Sequence, residues 1–436
     1  MILLNKIFLI IVIIFLNSCS LDKKTGIWTK TKKIAKEKNV IIKELFKDAP
    51  KISNEINPNL KINLNSKLVS NSFVNNYNNN NGRIKFDGNL KKKSRFRFSK
   101  IDNFKNFEPE IIFNKKNIIF FDNKGSIFKF DDSSRLLWKK NYYTKREKKL
   151  KPILSLGANN EILVVSDNIA KVYAIKIDTG ELLWTKTNSA PFNSQIKIYD
   201  NRIYVVDFNN TLKCFSTEDG SLIFEFKTEN SFIKSQKKLS LILIDKVVYF
   251  NNSIGDITAV NMESGDLIWQ TPTRSSLELG DSFFLKTSDI IGSKDTLLFS
   301  NNKNQFFSID AKTGILNWEQ KINSDLRPTL INNLIFTATN EGYLVIVDNI
   351  SGEIKRATDL FYKYKPKLRK KIKPVGFIVG SKNIYLSTNN GRLIIADIVT
   401  GKVSSILKID NTIISRPFVL NQDIFVIKEN AIIRLN

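Results

Sequence analysis

Few residues in this chain could serve nucleophilic or proton-transfer chemistry. Its 436 residues include no histidine and only two cysteines, Cys19 and Cys214. Histidine is the commonest metal ligand and the usual general base near neutral pH, so its absence removes both a serine triad and a zinc-binding HExxH helix. Neither a glycine-rich phosphate loop nor a CxxC pair occurs. Asp and Glu fall mostly beside Gly, Ser or Thr in short turns, where they serve the backbone. Cys214 stands in the small inward position held by Ala174, Ala259 and Ser308 in comparable segments, and is expected to be core. No catalytic residue, metal ligand or cofactor site is expected. What remains is covalent modification at Cys19 and recognition by polar side chains on loops.

The elements that would carry such loops repeat. Asp178-Thr179-Gly180-Glu181-Leu182-Leu183-Trp184 returns as Glu263-Ser264-Gly265-Asp266-Leu267-Ile268-Trp269 and as Lys312-Thr313-Gly314-Ile315-Leu316-Asn317-Trp318. Worn copies pair Gly220 with Phe224, Gly352 with Arg356 and Gly401 with Ser405, while another keeps Trp138 without the Gly. Alternating runs such as Lys171-Val172-Tyr173-Ala174-Ile175-Lys176 precede the turns and read as half-buried strands. A further strand upstream recurs around Ile118, Ile162, Ile203, Val248, Leu297, Ile335, Ile384 and Ile424. Repeats of roughly 40 to 50 residues mark a repeat architecture. Four strands per unit, without an amphipathic helix, predict an all-β, eight-bladed propeller of antiparallel blades.

The last repeat ends one strand after Ile424 and lacks an outer strand. The strand-like Ser94-Arg95-Phe96-Arg97-Phe98 precedes the first repeat, so this N-terminal strand is expected to complete blade eight and close the ring. Trp at the end of each outer strand should pack over the neighbouring blade. Its replacement at 224, 356 and 405 predicts the weakest inter-blade packing around blades six and seven.

Before the propeller the pattern changes. An apolar stretch from Ile7 to Leu16 follows Lys6, the length of a signal-peptide core and too short for a stable span. Leu16-Asn17-Ser18-Cys19 resembles a bacterial lipobox, in which the cysteine takes lipid and the signal is cut before it. With Ser20 following, the motif implies export to the outer membrane. The expected domains are therefore a signal peptide over 1–18, a polar flexible tether over 19–90 that is too Lys- and Asn-rich to fold alone, and the propeller over 91–436. With Cys19 acylated, Cys214 has no intrachain partner.

The formal net charge is +26. Lys, Asn, Ile and Phe are enriched together, and the run Asn78-Asn79-Asn80-Asn81 belongs with them, so the charge reads as genome-wide compositional bias. Export makes nucleic acid an unsuitable partner. In a propeller the connections from an outer strand to the next blade emerge on one face. Here they are long, at 139–151, 228–238, 271–286 and 355–373, which marks that face for function. Two of them interleave bases and aromatics, as in Tyr142-Tyr143-Thr144-Lys145-Arg146 and Phe361-Tyr362-Lys363-Tyr364, a pattern open to acidic protein, lipid head groups or plain solvation.

The repeated Ala-x-Asp-x-x-Thr-Gly-x-x-x-Trp pattern resembles the pyrroloquinoline-quinone-type propeller repeat, and with the lipobox and eight blades the chain resembles the BamB family. That resemblance implies a non-enzymatic lipoprotein on the periplasmic face of the outer membrane, anchored through Cys19. It implies binding to the barrel-forming subunit of the outer-membrane assembly machinery and assistance to unfolded outer-membrane proteins, with strand addition to blade edges as one implied route. The implied partner surface falls on Ile233, Ser235, Gln236, Lys237 and Asp289. The alternative is a pyrroloquinoline-quinone-dependent periplasmic dehydrogenase. Such enzymes carry a vicinal cysteine pair against the quinone and calcium-binding acidic and amide residues, and here Cys214 stands alone.

Overall fold

The computed structural model describes residues 51–72, 77–101, 108–229, 237–273 and 285–436. Within them lie eight four-stranded antiparallel sheets, seven of them with their strands in chain order from the axis outward. Seven are continuous in sequence, spanning 112–141, 154–187, 197–227, 241–271, 291–320, 329–359 and 374–408; we number these blades 1 to 7. Blade 8 takes its inner three strands from 418–435 and its outer strand from Lys92–Arg97. Phe96 pairs with Ile432 in that seam, is fully buried, and meets Phe130 of blade 1 edge-on at 5.8 Å. The expected closing strand is therefore in place.

The Gly-to-Trp repeat is an inter-blade staple. Each aromatic lies on the turn glycine of the next blade: Trp138 on Gly180, Trp184 on Gly220, Phe224 on Gly265, Trp269 on Gly314 and Trp318 on Gly352. Two constraints converge at Gly220. Its φ of +70° suits glycine, and a Cβ there would stand 2.5 Å from Trp184 Cε3. The indole NH of Trp184 then donates to Thr217 O at 2.9 Å, fixing the ring on that turn.

The staple also explains the missing glycine of blade 1. Its turn residue Ser134 keeps a φ of +63° without being Gly. The preceding blade ends in the borrowed strand, where Ser94 pairs with Arg434 at the register point that Trp184 occupies opposite Ala174. With no indole to accommodate, the turn tolerates a Cβ. Arg434 instead donates to Asp132 O at 2.6 Å.

The expectation of weak packing around blades six and seven is corrected at position 356. Arg356 is fully buried, lies against Gly401 as the indoles lie on theirs, and donates to the carbonyls of Leu60 (2.9 Å), Ile398 (2.9 Å) and Val399. A long cation with an apolar stem replaces stacking by hydrogen bonds to a turn. Ser405, next to the seam, is exposed.

The polar stretch before the propeller is the larger departure. Its described part, 51–72 and 77–90, lies on the blades and groups with them in one compact unit beginning at Lys51, whereas composition places the tether as far as residue 90. Ile62, Ile84 and Phe86 are buried. Sparse apolar residues suffice because blades supply the rest of each pocket. Residues 52–62 form a strap along the outside of blade 6: Ile56 and Ala357 exchange backbone hydrogen bonds of 3.0 and 2.9 Å, and Tyr343 donates to Ser53 O at 2.6 Å. The chain then crosses the ends of the inner strands. Ser72 bonds Val419, Tyr77 bonds Leu243, Asn78 bonds Gly292 and Ile84 bonds Val379, closing the axial channel at the end opposite the long connections.

Candidate partner-binding site

The open end of the channel is built from the residues that enter each inner strand. In blades 3, 5 and 8 a serine precedes the channel residue: Ser194-Gln195, Ser288-Asp289 and Ser415-Arg416. Each serine accepts from the second strand, as Val206 N to Ser194 Oγ at 2.7 Å, and donates to the next carbonyl. The following side chain is thereby held toward the axis. Arg327 and Arg416 both precede proline, which disfavours the helical region and extends the backbone into the channel.

These side chains form an ionic network across the axis. Glu110, before blade 1, accepts from Arg416 Nη2 at 2.8 Å, Arg327 Nη2 at 3.1 Å and Lys238 Nζ at 3.3 Å. Asp289 accepts from Arg327 Nε at 2.6 Å. Burial alone would raise the Glu110 carboxyl, but Lys238, Arg416 and Arg327 outweigh it and hold it below the usual range. Asp289 is likewise held well down against its burial, chiefly by Arg327 and Lys237. Burial, with Arg327 beside it, lowers Arg416 to about 10. One step deeper, Lys197 donates to Asn79 Oδ1 at 2.7 Å, while Asn79 donates to Gln195 Oε1 at 2.9 Å and Ile290 O at 3.0 Å. Burial and then Arg327 lower Lys197 to about 7. The closing segment is thus keyed into the channel by one asparagine.

Above the network the channel widens into a cavity of about 490 Å³, lined among others by Glu108, Lys237, Lys286, Asp325, Glu341 and Lys373. It opens on the face that carries the long connections. Lys237 donates to Asp325 O at 2.6 Å and pairs with Glu108 at 3.4 Å; burial lowers its ammonium, but Glu108, Asp325 and Asp289 more than restore it.

Of the sequence-derived site residues, Lys237 and Asp289 come together beside this cavity and contribute to one small recess with Glu110. Asp289 is 8% exposed and ion-paired, so it acts through the network that shapes the face. Ile233, Ser235 and Gln236 lie outside the described residues, as does Cys19. Glu110, Arg327 and Arg416 escaped sequence reasoning. The signals were present, as Arg-Pro twice and Ser-polar three times at inner-strand entrances.

The basic, aromatic loops prove largely structural. Tyr143 is buried and donates to Asp167 Oδ2 at 2.6 Å. A short helix α1 (Lys145–Lys149) follows, closed by a Thr144–Glu147 capping box. In the other loop Phe361 is buried, and helix α2 (Pro366–Arg369) places Arg369 on Asp359. Cys214 is core as expected, its thiol raised to about 11 by burial.

The quinone of the propeller dehydrogenases does not fit the residues present. Asn79, Lys197, Gln195 and the Glu110 network fill the axis, and the acidic residues there are already paired with Arg and Lys. Among the described residues no three His, Cys, Asp or Glu side chains converge as a metal site.

Fold and channel together define an eight-bladed Gly–Trp-repeat propeller whose axis is closed at one end and cross-linked by ions at the other. A family model described as outer membrane protein assembly factor BamB matches residues 123–358, more than half of the chain. The chain belongs to the BamB family. BamB of Moranella endobia (strain PCIT) is 22% identical over 262 residues, covering 58% of this chain and 66% of that relative; the chain thus spans just under two thirds of the relative's length. BamB from Moraxella catarrhalis superposes with a TM-score of 0.63 at 15% identity, over 80% of this chain and all of that one. A europium-containing methanol dehydrogenase gives 0.65 at 11% identity, over 83% and 90%. At such identities the solved structures establish the fold alone.

Proposed function

We propose that this chain is a non-enzymatic scaffold of the outer-membrane β-barrel assembly machinery. It binds the periplasmic part of the barrel-forming subunit through the face of the long connections and assists insertion of unfolded outer-membrane proteins. The observation that carries the reading, beside family membership, is the cavity on that face with Lys237 and Asp289 beside it. Rigid positioning by the ion network lowers the cost of binding. The signal peptide over 1–18 and lipidation at Cys19 complete the reading, attaching the propeller to the periplasmic side of the outer membrane.

Co-purification from detergent-solubilised envelope tests it. The barrel-forming subunit is expected to accompany the full chain. Its recovery should drop about tenfold with Lys286→Glu combined with Asp289→Asn, a change of about 1.4 kcal/mol. Cys19→Ser should move the chain out of the membrane fraction and abolish palmitate labelling. No recovery with the unmutated chain would overturn the partner, undiminished recovery with the double variant would overturn the face, and labelling that survives Cys19→Ser would overturn the anchor.

A further inference from the structure

Two connections on the cavity face carry a charge that their own folding does not use. Residues 139–151 and 361–373 each hold seven Lys or Arg among 13 residues, and Glu147 is the one acid in the two together. Lys and Arg make up 68 of the 436 residues, about one in six, so more than one in two is a local excess beyond the chain-wide bias. The acids nearby are already engaged. Glu147 is bound by Lys171 at 2.6 Å and serves the capping box of α1, and Asp359, just before the second stretch, is held by Arg369. Lys145, Arg146 and Lys149 on α1, and Lys367, Lys370 and Lys371 on and after α2, are exposed and have no acidic partner among the described residues.

Apolar side chains stand exposed among these bases. Leu150, between Lys149 and Lys151, is 62% exposed, and in the second connection Tyr362 is 56% and Leu368 46% exposed. Buried residues hold both loops from beneath, Tyr143 in the first and Phe361 and Ile372 in the second. Phosphates above an acyl layer accept this combination, since cations meet the head groups while leucine and tyrosine enter the interface. Protein–protein interfaces select differently, being enriched in Arg and depleted in Lys. Here every base but Arg146 and Arg369 is Lys. Arg97, exposed where the outer strand of blade 8 reaches the same face, lies on the arc of the ring between the two connections. Lys237 and Asp289 enter blades 4 and 5 on the other arc, apart from this surface.

We propose that these two connections dock onto the surface of an anionic phospholipid bilayer, with their lysines at the head-group phosphates and Leu150, Tyr362 and Leu368 at the acyl boundary. Charge complementarity selects the occupant. Each base held near such a surface strengthens attachment about fivefold, so bases that would be ineffective singly act together. A second copy of this chain is disfavoured as occupant, because like charges on a +26 chain repel. Which cellular bilayer is met rests on the assembly reading above; the attraction to anionic lipid rests on the loops alone.

Fluorescence quenching on the full chain in vesicles tests it, with a fluorescent amino acid in place of Leu150, Leu368 or Ile350 and lipids brominated on their acyl chains as the quencher. Ile350 is 74% exposed in the turn between the third and fourth strands of blade 6, at the closed end, and reports indiscriminate adsorption. Positions 150 and 368 should be quenched in vesicles of phosphatidylcholine with phosphatidylglycerol and not in phosphatidylcholine alone, while position 350 stays bright in both. Lys145→Gln, Lys149→Gln, Lys367→Gln and Lys371→Gln together should abolish the quenching. The same change at Lys61, Lys67, Lys116 and Lys402, exposed elsewhere, should leave it intact, and thermal unfolding of both variants should match the parent chain. No quenching at 150 and 368, quenching as strong in phosphatidylcholine alone, equal quenching at 350, or equal loss in both lysine variants overturns the proposal. A response at 150 and 368 to polyaspartate that phosphatidylglycerol vesicles do not compete away assigns the loops to an acidic polypeptide and also overturns it. Co-purification of the barrel-forming subunit separates the two claims: if it persists without quenching, the lipid surface fails alone. Where quenching persists without co-purification, the lipid surface stands and the assembly reading fails.

Discussion

Glu110 is the residue on which most of the channel depends, since its single carboxylate receives cations from blades 4, 6 and 8. A buried network of this kind contributes little over an apolar replacement of the whole set, yet breaking it by removing one partner is costly. Glu110→Gln should therefore lower stability by about 3 kcal/mol, read from the midpoint of urea unfolding at constant slope. The pH dependence has a definite sign. Glu110 and Asp289 both lie below their ordinary values in the fold, so their contribution is complete above the unfolded range near pH 4. It is lost as pH falls through the lowered folded values. The Gln variant should lose part of that acid sensitivity, and an unchanged acid limb would contradict the role given to Glu110. Sequence reading reached Asp289 and Lys237 only through resemblance, and it placed Asp289 among partner contacts. It missed the network because side chains separated by 306 residues, as Glu110 and Arg416 are, meet only when the ring closes.

At the scale of the blade, the turn glycine and the preceding blade's aromatic form one unit. Gly220→Ala should cost about 3 kcal/mol, from a left-handed φ imposed on a Cβ together with overpacking against Trp184. Ser134→Gly should be nearly neutral, because relief of the same backbone cost is offset by the extra freedom of glycine in the unfolded chain. Thermal unfolding of the two variants compares them directly, and equal effects would contradict the staple. The repeat was legible in sequence for a physical reason: the Gly turn, the alternating strand and the aromatic are local and stand complete in blades 2 to 5. What was not legible is the compensation at Arg356, whose hydrogen bonds run to the strap and to the next turn. A worn motif predicts weak packing only when nothing distant fills the site.

For the whole molecule, the polar stretch before the repeats changes meaning. Asn79 sits in a run that composition explains as bias, but its side chain is fully buried and joins blades 3, 4 and 5 to the closing segment. Low apolar content argues against independent folding, and residues 51–72 and 77–90 fold on a surface that the propeller supplies. Among the described residues the closing segment and strap leave open the cavity face, which we propose binds the barrel-forming subunit, and the outer edges of blades 1 to 5. Site-specific photo-crosslinking in intact cells separates these surfaces and tests the scaffold reading most directly, with the crosslinker at exposed Lys286 on the cavity face or at exposed Leu222 on the outer edge. The account predicts that position 286 captures the barrel-forming subunit and position 222 does not. Capture of the barrel-forming subunit from 222 and not from 286 would contradict it.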